Sequence, residues 1–244
     1  MDALRGRVAL VTGGSGGIGR AIAARLAADG AAVAVAYGRS AGPAQQAVGE
    51  ILAAGGQAVA VQADLRDPAA PGALAGAVEQ SMGPVDVLVS NAGLGRVQSL
   101  NEISSADFDE MIAVNLRAPF LLAQRLLPGM AVRKFGRVLF ISSVAAFTGG
   151  IVGPHYAASK AGLHGLTHFL AARAAPSGVT VNALAPALIA ETGMLPGEPA
   201  ELAGRVPVGR LGQPGEVADL ALAMLRNAYL TNQVVSIDGG SYPR

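Results

Sequence analysis

Short apolar runs alternate with helix-patterned stretches from one end of this chain to the other. That alternation is what most restricts its fold. The runs lie at residues 8–12, 32–36, 58–62, 85–89, 137–141, 179–184 and 234–237. They are continuous rather than polar at every second position, as in strands buried on both faces. Helical spacing fills 20–29, closed by Gly30, and 43–54, ended by Gly55-Gly56. A further helix opens at Pro68 and reaches about residue 82. Residues 104 to about 134 read as one or two helices, with Ser104 or Ser105 as N-cap. Two more follow, from Pro154 to about 175, stopped by Pro176 and Gly178, and from 214 to 227. Successive strands joined by helices must lie parallel, with right-handed crossovers. The expected fold is α/β: a doubly wound parallel sheet of about seven strands with helices on both faces. No linker, repeat or change in composition divides the chain, so residues 1–244 are expected to form a single domain.

The first strand runs into Gly13-Gly14-Ser15-Gly16-Gly17-Ile18-Gly19, and the first helix follows at once. Gly13 allows the tight turn, Gly17 lets backbone amides approach a pyrophosphate, and Gly19 lets helix pack close on strand. A helix N-terminus presents free N–H groups and partial positive charge to an anion. A glycine-rich turn without a ligand would look the same by itself. The strand before and the helix after favour a dinucleotide site lined by Gly13, Ser15, Gly16, Gly17, Ile18 and Gly19. After the second strand comes Ala36-Tyr37-Gly38-Arg39-Ser40, with no carboxylate to take a ribose 2′-hydroxyl. Arg39, beside Ser40, is placed to accept a 2′-phosphate, which favours NADPH and leaves NADH possible. The alternative for Arg39 is a solvated loop charge.

Tyr156 and Lys160 stand four apart in Pro154-His155-Tyr156-Ala157-Ala158-Ser159-Lys160, so on a helix they share a face. An ammonium ~5 Å from the phenol supplies about 3 kcal/mol at an effective dielectric of ~20, or roughly two units of pKa. A general acid with a depressed pKa is therefore the expected chemistry. A half-buried tyrosine and a solvated lysine would share the spacing. Composition narrows the rest. Lys plus Arg (18) balances Asp plus Glu (17) to net +1, and no basic patch suggests nucleic acid. There is no cysteine, hence no disulfide framework and no thiolate metal site. No metal site is expected. Met1-Asp2-Ala3-Leu4-Arg5-Gly6-Arg7 lacks a signal-peptide core, and no run is long enough to span a membrane, so a cytoplasmic location is expected.

Several further motifs appear in order. They are Asp64-Leu65 after the third strand, Asn91-Ala92-Gly93 after the fourth, Asn115 between Val114 and Leu116, Ser143 thirteen residues before Tyr156, and Pro186 after the sixth strand. Gly209-Arg210-Leu211-Gly212-Gln213-Pro214 and Asp238-Gly239-Gly240 complete the set. Together with the glycine loop and Tyr156-x-x-x-Lys160, they make the chain resemble the short-chain dehydrogenase/reductase family over nearly its whole length. Within that family it is most similar to 3-oxoacyl-(acyl carrier protein) reductases. The resemblance implies a Rossmann-type fold and a catalytic set of Asn115, Ser143, Tyr156 and Lys160. Tyr156 would protonate a carbonyl oxygen as hydride arrives, and Ser143 would orient that oxygen. Lys160 would bind the nicotinamide ribose and lower the Tyr156 pKa, and Asn115 would hold a proton-relaying water. Asp64 and Leu65 would meet the adenine, Asn91, Ala92 and Gly93 the adenosine and ribose side, and Pro186 and Ile189 the nicotinamide end. A homotetramer is also implied.

The chain departs from that pattern at Gly16, where arginine is common, and at Arg173, where glutamate is common. Of two basic positions expected to meet a carrier protein, Lys134 keeps its charge and Ser177 does not. The expected activity is reduction of a carbonyl compound, which acyl carrier protein or CoA could carry. The alternatives are a dehydrogenase or reductase of a free small ketone, polyol or steroid-like alcohol, and a dinucleotide-binding regulator without catalysis. Residues 187–212 read as an irregular, mainly apolar lid carrying Met194, Leu195 and Pro196, facing a wall at 149–153. His155 either touches substrate or is a surface histidine. His164 and His168, four apart, are expected to serve packing or an interface.

Overall fold

The computed structural model describes residues 4–193, 195 and 197–242; Met194 and Pro196 of the expected lid and the first three residues of the N-terminal segment lie outside them. The strands are β1 (Val8–Thr12), β2 (Ala32–Tyr37), β3 (Gln57–Gln62), β4 (Val85–Ser90), β5 (Gly136–Ile141), β6 (Val179–Pro186) and β7 (Val234–Ile237). The helices are α1 (Gly17–Ala28), α2 (Ala41–Ala53), α3 (Ala70–Met82), α4 (Ser105–Ile112), α5 (Ala118–Val132), α6 (Ala145–Thr148), α7 (Pro154–Ala174), α8 (Pro199–Ala203) and α9 (Pro214–Arg226). All strands are parallel in one sheet of order β3-β2-β1-β4-β5-β6-β7. From β1 the chain builds outward to β3, then crosses back and builds the other way from β4. The reversal opens a crevice beyond the carboxyl ends of β1 and β4, where such sheets hold ligands.

Period-two side chains divide the core between the two faces of the sheet. Ala9 and Val11 of β1 pack with Ile22, Leu26, Val217 and Met224, under α1, α2 and α9. Val8 and Leu10 pack with Leu74, Leu122, Leu126 and Leu163, under α3, α5 and α7. Residues of β1, β4, β5 and β6 are buried throughout, which is why their sequences are continuously apolar.

The third helix and the 187–212 segment differ from the sequence expectation, while the stretch from 104 falls within it and adds a π turn. The third helix starts at Ala70, not at Pro68, and Pro71 occupies its first turn. The stretch from 104 is two helices joined by a π turn at Ala113–Arg117. Its N-cap is Ser104, whose hydroxyl accepts the Asp107 N–H at 3.1 Å. Residues 187–212 are not wholly irregular, since α8 lies within them. Among the described residues no helix is long and apolar enough to cross a membrane.

Candidate active site

A cleft of about 520 Å³ follows the carboxyl edge of the sheet. The expected residues Gly13, Ser15, Gly16, Gly17, Ile18, Gly19, Asn91, Ala92, Gly93, Ser143, Tyr156, Lys160, Pro186 and Ile189 all line it. Arg39, Ser40, Asp64, Leu65 and Asn115 do not.

At the β1 end, Gly13 turns the chain with φ +62°, which a side chain would strain. Asn91 fastens this turn from the neighbouring strand: its Nδ2 donates to the Thr12 and Gly13 carbonyls at 3.1 and 3.0 Å. The buried Thr12 hydroxyl accepts the N–H groups of Asn91 and Ala92 at 3.1 and 3.0 Å. Thr12 is thus a supporting residue that the sequence reading left at the end of the first strand without a role. The bare side of Gly17 faces the Glu191 carbonyl, only 2.5 Å from where a Cβ would stand. Its glycine is needed for the approach of the 187–212 segment, a reason different from the one read in the sequence. The first N–H groups of α1 have no intrahelical partner, and no carboxylate lines this end of the cleft. That donor set fits a pyrophosphate.

Beyond β2 and β3, Arg39 and Ser40 are exposed. Asp64 receives Arg66 Nε at 2.8 Å, and with Arg39 also nearby its carboxyl is held down at about 2. Leu65 is buried in the core.

At the β5 end, α7 is fixed to the strand by reciprocal bonds. Lys160 Nζ donates to the Ile141 carbonyl at 2.8 Å. The Ser142 hydroxyl donates to the Lys160 carbonyl at 3.0 Å and lies 2.8 Å from His164 Nε2. Ser142 has a single proton, so His164 Nε2 must be the donor in that contact. Ser142 is a further supporting residue that the sequence reading gave no role, and His164, expected to serve packing or an interface, is its partner. The Ser143 hydroxyl bonds the Tyr156 phenol and also accepts the Ala145 N–H at 3.2 Å. Lys160 Nζ stands 5.8 Å from the centre of the Tyr156 ring.

The expected depression of the Tyr156 pKa is not what the site produces. Burial raises it above the ordinary tyrosine value, and the Ser143 bond offsets only part of that rise. Burial also lowers Lys160 to about 8, with its ammonium turned to a backbone carbonyl. Lys160 thereby makes stability pH-dependent. Above its folded pKa the native state has released a proton that the unfolded chain still holds, so stability rises with pH between about 8 and 10.5. The span corresponds to roughly 3 kcal/mol. In urea unfolding at about pH 7 and about pH 10, the wild type should gain stability relative to Lys160→Met at the higher pH. A constant difference between the two proteins would refute the charged, buried state of Lys160.

Asn115 is fully buried behind the cleft. Its side chain is spent on protein partners. Oδ1 accepts the Leu94 N–H at 2.7 Å, and Nδ2 donates to the Leu94 carbonyl at 2.9 Å and to Ser159 Oγ at 3.1 Å. The π turn has a visible cause four residues on. Pro119 carries no N–H, so the Asn115 carbonyl has no α-helical donor. The backbone widens, and the Ala118 N–H reaches the Ala113 carbonyl instead. A proline four after Asn115 was the available sequence signal.

His155 is neither a surface residue nor part of this cleft. It is 1% exposed and faces a second hollow beside Ile103, Phe108 and Ala158. His164 and His168 are held by Ser142 and Asn232 respectively. Among the described residues no cluster of His, Cys, Asp or Glu could hold a metal ion.

The sequence profile described as short chain dehydrogenase matches residues 7–202. The chain is 40% identical over 245 residues to a 3-oxoacyl-(acyl-carrier-protein) reductase of Synechocystis sp., covering 98% of each. It superposes with TM-score 0.92 and 37% identity on a blue fluorescent protein from a metagenomic library solved with NADPH, covering 99% of this chain and 100% of that one. A short chain dehydrogenase of Burkholderia cenocepacia, solved with NADP, gives TM-score 0.90 at 38% identity, covering 98% of this chain and 99% of that one. With the profile spanning most of its residues and these relatives matching it nearly end to end, the chain belongs to the short-chain dehydrogenase family.

Proposed function

We propose that the protein reduces a ketone or 3-oxoacyl thioester to the alcohol with NADPH. The observation that carries this reading is one continuous cleft from the open N-terminus of α1 to the Ser143–Tyr156–Lys160 group. A bound reduced nicotinamide would supply hydride to the carbonyl carbon. Tyr156 would donate its proton to the carbonyl oxygen, and Ser143 would hydrogen-bond the same oxygen as negative charge builds there. The raised Tyr156 pKa keeps the phenol protonated at neutral pH, the state that reduction requires. Lys160 would bind the ribose hydroxyls. Asn115 would hold the relaying water through its main-chain carbonyl, since its side chain is already committed. Asp64 and Leu65 would border the adenine, and Pro186 and Ile189 the nicotinamide. Residues 187–212 would close as a lid, with Glu191 against the phosphate loop. Exposed Phe120 on α5 and Phe169 on α7 support a homotetramer as part of the same reading.

A free ketone is the second reading. Lys134 packs against Gly178, so the two positions expected to meet a carrier protein are neighbours, and Ser177 leaves only one of them charged.

Following loss of reduced-nicotinamide absorbance with acetoacetyl thioester and with free ketones tests both readings. No oxidation with any carbonyl, while the dinucleotide still binds, would overturn the enzymatic assignment. Arg39 makes no hydrogen bond or ion pair among the described residues, which leaves its guanidinium available to a 2′-phosphate. Arg39→Ala should weaken NADPH binding about tenfold or more and NADH binding far less. Equal losses would overturn the choice of NADPH.

A further inference from the structure

The charges lining the cleft are one-sided. Among its described lining residues there is no aspartate or glutamate, and the basic side chains are Lys160 and Arg205. Lys160 is buried and engaged with Ile141. Arg205 is exposed and makes no side-chain hydrogen bond or ion pair among the described residues. Most other arginines reach a carboxylate, among them Arg20, Arg25, Arg66, Arg125 and Arg210.

The backbone holding Arg205 is fixed. It follows α8 between two anchors, Leu202 and Val206, which are 3% and 5% exposed. The Val208 N–H donates to the Gly239 carbonyl at 3.2 Å, which ties the segment to the turn after β7. A Cβ on Gly239 would come within 2.6 Å of Val206, so the two stretches are in tight contact. β7 forms the sheet edge, four strands from β1. At ~4.8 Å per strand that is roughly 19 Å from the strand that feeds the phosphate loop. Ser143, after β5, lies between. Arg205 therefore stands on the far side of the reacting carbonyl from the pyrophosphate end. The cleft wall contributed by the segments after β5, β6 and β7 is largely apolar, with Ile151, Val152, Leu188 and Leu195 relieved by Thr148 and Ser241.

We infer that Arg205 is a specificity residue for substrates that carry, besides the ketone, an anionic group, carboxylate or phosphate. The inference rests on the reductase reading and narrows its substrate class. The guanidinium would bind the oxyanion through paired N–H donors, while Tyr156 and Ser143 take the carbonyl oxygen. Free oxo acids and phosphopantetheine thioesters both offer this chemistry.

The experiment compares two pairs of ketones that differ only in charge: levulinate with methyl levulinate, and acetoacetyl-phosphopantetheine with acetoacetyl-pantetheine. The readout is the ratio of kcat/KM for the anionic over the neutral member. Arg205→Gln should lower that ratio about tenfold or more in at least one pair, and Arg205→Lys should recover part of it. Added salt should lower the wild-type ratio as well. A purely structural effect would weaken both members alike and leave the ratio unmoved. An effect confined to the levulinate pair identifies a free oxo acid, and one confined to the other pair identifies the carrier arm. An unchanged ratio in both pairs overturns the inference. If the wild type turns over none of the four, the reductase reading fails instead. Calorimetric titration of wild type and Arg205→Gln with levulinate and with phosphopantetheine then decides the role of Arg205 without turnover. Weaker binding by the variant supports it, and equal affinity overturns it.

Discussion

Tyr156→Phe should lower turnover by roughly a hundredfold to ten-thousandfold, the range that a positioned general acid contributes. The substitution removes one hydroxyl from a ring that is 9% exposed and fills the same space otherwise. The fold and the α1 end of the cleft should persist, so dinucleotide binding should survive in a fluorescence titration. Ser143 would remain as a hydrogen-bond donor to the carbonyl oxygen. An aliphatic hydroxyl is too weak an acid to replace the phenol, which explains why the residual rate should be small but measurable. The loss should fall on kcat more than on KM, because the proton is needed as charge develops and not while the substrate docks. Full turnover by the variant would remove Tyr156 from the proposed mechanism.

The direction of the Tyr156 pKa shift shows where a sequence stops being readable. Spacing of four correctly put Tyr156 and Lys160 on one helical face, and that is a local property. The size and sign of their interaction depend on burial, which is tertiary. Treating the pair as half-solvated charges gave an acidified phenol, whereas enclosing both raises the phenol and lowers the amine. His155 failed for a different reason. Adjacent residues on a helix point about 100° apart, so the neighbour of a cleft residue belongs to another face. The strands were legible because burial on both sides leaves no polar alternation. The five-residue α8 was not, since so short a helix carries little periodicity. The π turn at Asn115 could have been found, because Pro119 removes the donor that an α-helix needs there. Arg205 drew no attention in sequence because only the pinning of its segment to the β7 turn brings it to the cleft.

Gly19→Ala should damage the protein more than a single methyl suggests. A Cβ at position 19 would lie 2.6 Å from Asn91 Nδ2 and 2.9 Å from the Gly13 carbonyl carbon, and closer still to that carbonyl's oxygen. Two of these obstacles are backbone atoms and cannot rotate aside. The third is the amide that holds the loop, through its 3.0 Å bond to the Gly13 carbonyl. Relief requires the Gly13 turn to move away from α1, and that breaks the fastening by Asn91. Overpacking of this kind costs about 1–3 kcal/mol. In a chain of this size, each kcal/mol lowers Tm by roughly 2–4 °C. The same displacement misaligns the α1 N–H groups, so dinucleotide affinity should fall by about tenfold to a hundredfold along with stability. Gly49→Ala separates the specific effect from the general one. Gly49 lies inside α2 with nothing within 4 Å of an added Cβ. Alanine there should leave binding intact and stabilise the helix by about 0.5–1 kcal/mol. Thermal melts and dinucleotide titrations on both variants read the contrast directly. Unimpaired binding by Gly19→Ala would mean that the strand-to-helix turn does not shape the phosphate site, and the dinucleotide reading of the whole cleft would lose its foundation.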